Sequence, residues 1–385
     1  MKILINAIPL TGLLTGIARY LRNLYTAMEA FHDVDLFYFN GKNVSHTMPP
    51  MADAGKWQAM TRAIWSLPDP AVFSLRAVHW LNYERRLRRT CRLQEFDIYH
   101  ETAFVPAKAP TLFSVYSIYD LSLRLYRETH PRERVWFFEY FIKKRLQYAG
   151  HILTISEFIR QEIIAELNVP PERVTAIPLA ADPLFAPCTA EEIDHIKSRY
   201  HLPESYLLFV GSLEPRKNID ILIEAMGKLK NEIPLVLVGW SAWGNKEWMD
   251  KIASKGLSSR VFVTGHLPDA DLKGIYSGAT ALIYPSLYEG FGLPILEAMA
   301  CGCPVICSNV ASMPEVAGDA ALFIDPSNSD DLTGAIETLL QDSELRNRMI
   351  NKGYQQNAAF NWGKTAGKTI ALYSRLREYP QRNRM

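Results

Sequence analysis

The chain alternates between short apolar runs and longer stretches in which apolar residues recur every three or four positions. Residues 2–7, 34–39, 96–100, 112–118, 152–155 and 174–179 are apolar runs rich in branched and aromatic residues, which predicts strands buried on both faces. Between them, 17–31 places Ile17, Tyr20, Leu21, Leu24 and Met28 on one helical face. Residues 71–93 read as a basic, aromatic helix. Residues 132–149 form a helix whose aromatic stripe (Trp136, Phe137, Phe138, Tyr140, Phe141) is expected in the core, and Ser156 is placed to cap a helix starting at Glu157. Residues 40–70, rich in Pro, Asn, Gly and Met, receive no assignment. Residues 180–203, with Pro183, Pro187 and Pro203 around one helical patch, read as a linker.

The alternation then restarts, with strands expected at 206–210, 234–238, 261–264, 281–284, 305–307 and 321–324 and three helices to the end. Strands alternating with helices predict mostly parallel sheets. The 385 residues suffice for two domains, here two doubly wound halves, 1–180 and 181–360.

The densest chemistry lies in 279–307, ATALIYPSLYEGFGLPILEAMACGCPVIC. Pro285 ends a strand ladder, a loop follows, and a helix over about 293–300 is closed by Gly302 and Pro304. Glu289 sits at the strand's C-terminal edge, where open parallel sheets bind ligands. Gly290 and Gly292 allow close backbone approach. The amides of Phe291, Gly292 and Leu293 point outward from the helix start, and Glu297, one turn inside, can accept two hydroxyl hydrogen bonds. Carboxylates beside free amides suit a polyhydroxylated ligand carrying phosphate.

Upstream, Gly211-Ser212-Leu213-Glu214-Pro215-Arg216-Lys217-Asn218 follows another predicted strand. Arg216 and Lys217 offer a guanidinium fork and a point charge to a diphosphate, in what should be an open cleft. Cations at a helix start oppose the macrodipole, and a local rule broken in this way marks a functional site. Two cations can offset the charge of a leaving diphosphate without a metal. Asp269-Ala270-Asp271 is expected to cap the helix after Pro268 and is assigned no metal. His100 and Glu101, at one strand end of the first half, are secondary candidates for acceptor chemistry, with His100 expected to be buried and satisfied by backbone.

Formal net charge is +1, so no global field draws the chain to nucleic acid. The distribution is uneven: residues 1–180 hold 22 Lys and Arg against 17 Asp and Glu, and the remainder 20 against 24. The first half, net +5, is the better candidate for an anionic partner. No apolar run is long enough to span a bilayer, and MKILINAIPL reads as a first buried strand rather than a signal peptide. Five cysteines argue against a disulfide framework and suit a reducing cytoplasm. Cys301, Cys303 and Cys307 are expected to act as small hydrophobes.

The stretch around Glu289 and Glu297, with Glu-Gly-Phe-Gly-Leu-Pro and then Gly-Cys-Pro-Val, resembles the donor-sugar motif of the retaining glycosyltransferases of family 4, and the two glutamates match that family's Glu-x7-Glu pair. The similarity covers nearly the whole chain and is strongest over 206–310. The run LEPRKNIDILIEA is similar to mannosyltransferases of the family. The resemblance implies an α/β GT-B fold, two Rossmann-like domains facing a cleft, with the last helix, in 361–385, crossing back to the first. It implies metal-independent transfer of a hexose from a nucleotide sugar, with GDP-mannose preferred, by front-face substitution. The acceptor would be a glycan or a polyprenyl-diphosphate-linked saccharide in surface polysaccharide assembly. A UDP-sugar donor, a nucleotide-sugar epimerase and a non-catalytic donor-binding scaffold are the alternatives.

Carried onto this chain, the resemblance puts Gly16 against the donor phosphates and acceptor, and Arg216 and Lys217 on the diphosphate. It puts Gly211, Ser212, Gly239, Glu289, Gly290, Phe291, Gly292, Leu293 and Glu297 around the donor, and His266 and Leu267 beside the nucleobase. Family members often read His-Asp-Leu where this chain has Tyr119-Asp120-Leu121. Asp120 is then expected to orient the acceptor or help it lose a proton, while Tyr119, titrating near pH 10, leaves a histidine-specific role open. Trp80, Arg85, Arg86, Arg88 and Arg89 suit an anionic membrane surface at the inner face of the membrane, or a polyprenyl diphosphate. The alternative is a solvated basic face packed on its own domain by Trp80 and Leu81.

Overall fold

The computed structural model describes residues 1–12, 15–51, 67–109, 112–240 and 245–378. It divides into two compact units, Met1–Leu179 with Trp362–Met385, and Ala180–Asn361.

The first unit is built on a seven-stranded sheet: β1 (Lys2–Asn6), β2 (Asp35–Phe39), β3 (Val44–Ser45), β4 (Ile98–Glu101), β5 (Phe113–Ser117), β6 (His151–Thr154) and β7 (Val174–Ala176). Their order is β3-β2-β1-β4-β5-β6-β7, and only the short β3 runs antiparallel. Every residue of β4, β5 and β6 is buried, as strands covered by helices on both faces must be. Thr15 caps the Gly16–Met28 helix and Ser156 caps Glu157–Leu167.

The final helix, Trp362–Arg377, packs on Gly16–Met28. Its Tyr373 hydroxyl lies 2.7 Å from His100 Nδ1, as does that of Tyr25, while His100 Nε2 lies 2.7 Å from Ser117 Oγ. His100 is therefore buried as expected but satisfied by hydroxyls, not by backbone. Burial holds its pKa down at about 3. A neutral ring that donates from Nε2 to Ser117 leaves Nδ1 to accept from the two tyrosines.

The second unit carries a six-stranded, all-parallel sheet: β8 (Leu207–Val210), β9 (Leu235–Val238), β10 (Val261–Gly265), β11 (Ala281–Tyr284), β12 (Val305–Ser308) and β13 (Ala321–Ile324), in the order β10-β9-β8-β11-β12-β13. The expected linker is not one. Residues Ala190–Tyr200 form a helix, closed at its start by a Thr189–Glu192 capping box and packed on Asp269–Gly278 inside this unit.

Both sheets reverse strand order once, between β1 and β4 and between β8 and β11. Outside the carboxyl ends of those strand pairs, a doubly wound sheet leaves a crevice for ligands.

Candidate active site

The crevice beyond β8 and β11 holds a buried ionic cluster. After β8 the chain turns through a single 3-10 turn, Pro215–Lys217, and Asn218 enters the left-handed region (φ 59°) to start the helix Ile219–Lys228. Asn218 Nδ2 donates to the carbonyls of Pro285 (3.1 Å) and Pro326 (2.7 Å), which ties the turn beneath the loop after β11. Lys217 Nζ donates to Glu289 Oε1 at 2.5 Å and to the Tyr284 hydroxyl at 3.0 Å. The Tyr284 hydroxyl lies 2.9 Å from the same Oε1. Arg216 bonds Glu289 Oε2 at 3.2 Å, Glu214 Oε1 at 2.7 Å and the Tyr288 carbonyl.

Arg216, Lys217 and Glu289 are each 9% exposed or less. The open cleft expected around the two cations is thus, within this unit, a packed cluster in which each cation rests on a carboxylate. Burial pushes the Glu289 pKa up, but Lys217 and then Arg216 outweigh it and hold the carboxyl at about 2. Tyr284, buried beside that carboxylate, is raised well above the usual phenol range. Sequence reasoning misses Tyr284 and Glu214 as site residues. Their positions, at the last residue of a strand before Pro285 and two residues before Arg216, are the available signals.

The loop following Glu289 is fixed by the buried Ser312 hydroxyl, 2.9 Å from the Glu289 carbonyl and 3.0 Å from that of Phe291. Gly292, at φ 99°, is the N-cap of Leu293–Ala300, a conformation that disfavours a side chain. The amides of Phe291, Gly292 and Leu293 donate to no acceptor among the described residues, which leaves donors at this helix start. The Phe291 ring is turned inward, edge-on to Phe360 at 5.8 Å, so only its backbone serves the site.

Glu297 departs from expectation. It is 2% exposed and accepts the Tyr276 hydroxyl at 2.9 Å from the neighbouring helix. Its carboxylate is thus already engaged within the protein.

Gly211 and Gly239 meet at the same edge of the sheet. A Cβ on Gly239 would lie 1.7 Å from the Gly211 carbonyl oxygen, so the ends of β8 and β9 touch only because that Cβ is missing. Ser212 follows Gly211 and is half-buried. His266 stacks on Trp240 with centroids 4.6 Å apart and planes 15° from parallel, and Leu267 is buried. Asp271 does not cap its helix. It receives the Tyr200 hydroxyl at 2.5 Å and pairs with Arg199. Cys301 is buried, and burial pushes its thiol up to about 12. A cavity of about 680 Å³ opens at the opposite edge of the sheet, lined by Ser205, Pro234, Thr280, Pro304 and Arg346 among others, and shares no residue with the cluster.

In the first unit, Gly16 opens its helix with no atom near where a Cβ would sit. Asp120 uses Oδ1 to hold its own turn, accepting from the Ser122 amide (2.9 Å) and hydroxyl (2.7 Å). Tyr119 is half-buried, and its hydroxyl donates to the Thr102 carbonyl at 3.1 Å. The basic helix, Asp69–Leu93, is present, but Trp80 is buried in it against Phe141 (5.0 Å) and beneath the Arg145 guanidinium (4.3 Å). It is an anchor between helices and is not available to a headgroup layer. Arg88 and Arg145 both pair with buried Glu84, and Arg86 donates to the Gly41 carbonyl. Arg85 and Arg89 face solvent. In the Arg132–Arg145 helix the aromatic stripe is split: Phe137, Phe138 and Phe141 are core, while Trp136 (43%) and Tyr140 (53%) are exposed.

Two Rossmann-like units, one with arginine, lysine and glutamate gathered at its switch point, are the architecture of the GT-B glycosyltransferases. Residues 15–180 match the model of the glycosyl transferase 4-like domain, and 191–356 that of the glycosyl transferases group 1. The chain is 33% identical to the O-antigen chain mannosyltransferase B of Escherichia coli over 98% of this chain and 100% of that one. It is 28% identical to the MMP alpha-(1->4)-mannosyltransferase of Mycolicibacterium hassiacum, over 80% and 75%. The sucrose-phosphate synthase of Thermosynechococcus elongatus superposes with a TM-score of 0.76 at 22% identity, over 97% and 98%, a likeness of fold. The chain belongs to the GT4-type glycosyltransferases and is mannosyltransferase-like.

Proposed function

We propose that this protein transfers mannose from GDP-mannose to a saccharide acceptor in the assembly of a surface polysaccharide, with retention of configuration and without a metal. The observation that carries the reading is the Arg216–Lys217–Glu289 cluster at the switch point of the second unit. Two buried cations held by two carboxylates are a place kept for a diphosphate. On donor binding the phosphate oxygens take Lys217 and Arg216, and Glu289 is released to accept hydroxyls of the sugar. The unpaired amides of Phe291, Gly292 and Leu293 add donors at a helix start.

In the reaction the bond from the sugar C1 to the diphosphate oxygen breaks and the bond from C1 to the acceptor oxygen forms on the same face. The acceptor proton passes to the departing phosphate. The charge that grows on that phosphate is offset by Lys217 and Arg216 in a buried setting, where such interactions count most. Mannose as the sugar is supported by the E. coli and M. hassiacum relatives, both mannosyltransferases by name.

The acceptor is proposed to be lipid-linked and met at the cytoplasmic face of a membrane. Leu75, Val78, Leu81, Arg85 and Arg89 are exposed along one helix, and Trp136 and Tyr140 along the helix packed against it. Apolar and aromatic tips among arginines suit an anionic interface. No helix among the described residues is long and apolar enough to cross a membrane.

The test is a donor panel: GDP-mannose, GDP, UDP-glucose and UDP-N-acetylglucosamine in thermal-shift titrations, followed by product analysis with the stabilising sugar nucleotide. Stabilisation by GDP-mannose and an α-mannosidic product are expected. A UDP-sugar that alone stabilises and reacts would reject the donor, and an inverted product would reject the stereochemistry.

A further inference from the structure

The first unit has a switch point of its own, between β1 and β4, and its chemistry is unusual. Asn6 ends β1 and Glu101 ends β4, at neighbouring registers. Glu101 is fully buried and pairs with no cation among the described residues. Its oxygens accept from Asn6 Nδ2 (2.5 Å), the Tyr99 hydroxyl (2.7 Å) and the amides of Ala103 (3.0 Å) and Ala107 (3.3 Å). A carboxylate buried without a cation is costly, and an apolar side chain would fill the space more cheaply.

What the carboxylate does is bolt down the loop that leaves β4. Three further polar groups of that loop are held as well. Thr102 Oγ1 donates to the Asn6 carbonyl (2.5 Å), the Tyr119 hydroxyl to the Thr102 carbonyl (3.1 Å), and the Tyr116 hydroxyl to the Phe104 carbonyl (2.7 Å). Between the two amides held by Glu101, one large side chain is left projecting: Phe104, 47% exposed. A rigid loop at a ligand-binding edge, supported from beneath and presenting one aromatic face, is the build of a recognition platform.

We propose that Phe104 is a stacking platform for a neutral hexose of the acceptor, with Glu101 as the positioning residue that fixes its loop. One face of a hexopyranose presents C–H groups, which the negative face of an aromatic ring attracts while the hydroxyls stay solvated. Both acidic side chains at this edge, Glu101 and Asp120, disfavour a phosphate here. The identity of the ligand as a saccharide rests on the transfer function proposed above, but the site can be tested without turnover.

The experiment is a ligand-observed NMR titration, without donor, of methyl glycosides of mannose, glucose, galactose and N-acetylglucosamine against the full chain and its Phe104→Ala, Phe104→Leu and Phe104→Trp variants. Binding of at least one glycoside by the wild type is expected. Phe104→Ala and Phe104→Leu should weaken it about tenfold, and Phe104→Trp should restore it. Since the side chain is half in solvent, melting temperatures should stay together. In transfer assays the same variants should raise the acceptor KM and leave the donor KM unchanged. Absence of glycoside binding by the wild type, equal binding by Phe104→Ala, or equal binding by Phe104→Leu would each overturn the platform. Failure of the transfer reading shows separately, as no consumption of any nucleotide sugar.

Discussion

Lys217 Nζ lies 2.5 Å from Glu289 Oε1, and both side chains are buried. The lysine stands 72 residues before the glutamate, and the two meet only because β8 and β11 are neighbours at the point where strand order reverses. The pair joins a stabilising contact to the site proposed for the donor, so its removal should be felt in both.

Replacing Lys217 with Met keeps the length and removes the charge. Turnover should fall about 100-fold or more, the scale of losing one donor that acts in the transition state. Stability should fall too, by about 1–3 kcal/mol, because Glu289 is left with one cation instead of two. Steady-state transfer and urea unfolding of the same preparation read both. Unchanged turnover with lowered stability would make Lys217 structural only.

The acid limb of the stability curve follows from Glu289. Its folded pKa is held near 2, below the ordinary carboxyl value of 4.5. The unfolded chain therefore takes up a proton first as pH falls. Stability from this group is fully present above about pH 4.5 and is lost between there and pH 2. Lys217→Met should shrink that acid-dependent loss, as measured by urea midpoints across pH 2–6.

His100, in the first unit, gives a second window that begins at higher pH. Its folded pKa is lowered to about 3 from 6.5, so the folded ring stays neutral while the unfolded one protonates. Stability of the first unit should decline as pH falls from about 6.5 towards 3, with a slope approaching 1.4 kcal/mol per pH unit. Because Tyr373 of the last helix bonds this ring, amide exchange in Trp362–Arg377 should speed up with it. A His100→Gln variant should lose part of the pH dependence in that window and keep the part due to His151, whose pKa burial lowers to about 4.

The membrane reading can be checked on the exposed face alone. Arg85→Ser with Arg89→Ser should weaken binding to anionic vesicles, each arginine being worth about 1 kcal/mol near such a surface. Trp136→Ala with Tyr140→Ala should weaken it at high salt as well, where the arginines are screened. Wild-type protein that ignores anionic vesicles at low salt would turn this face into ordinary solvated surface.

Much of the fold is legible in the residue pattern. Strand–helix alternation places the sheets because parallel strands are apolar throughout, and the loops after β8 and β11 stand out through Arg216, Lys217 and Glu289. Partners set by packing are not legible. Trp80 reads as an interfacial anchor, yet Phe141 and Arg145 enclose it, and nothing in the spacing of 71–93 announces the helix that does so. Glu297 reads as free, and only the packing of the neighbouring helix brings Tyr276 to it. Residues 180–203 read as a linker because prolines mark boundaries, while the capping box at Thr189 is the local sign of a packed helix.

A nucleoside diphosphate that binds here should displace Glu289 from the cations Lys217 and Arg216. Calorimetric titration of GDP into the wild type, Lys217→Met and Glu289→Gln tests it most directly. Binding to the wild type is expected, with at least tenfold weaker binding to Lys217→Met and binding to Glu289→Gln as tight as wild type or tighter, since the competing carboxylate is gone. GDP binding equally to the wild type and Lys217→Met would contradict it.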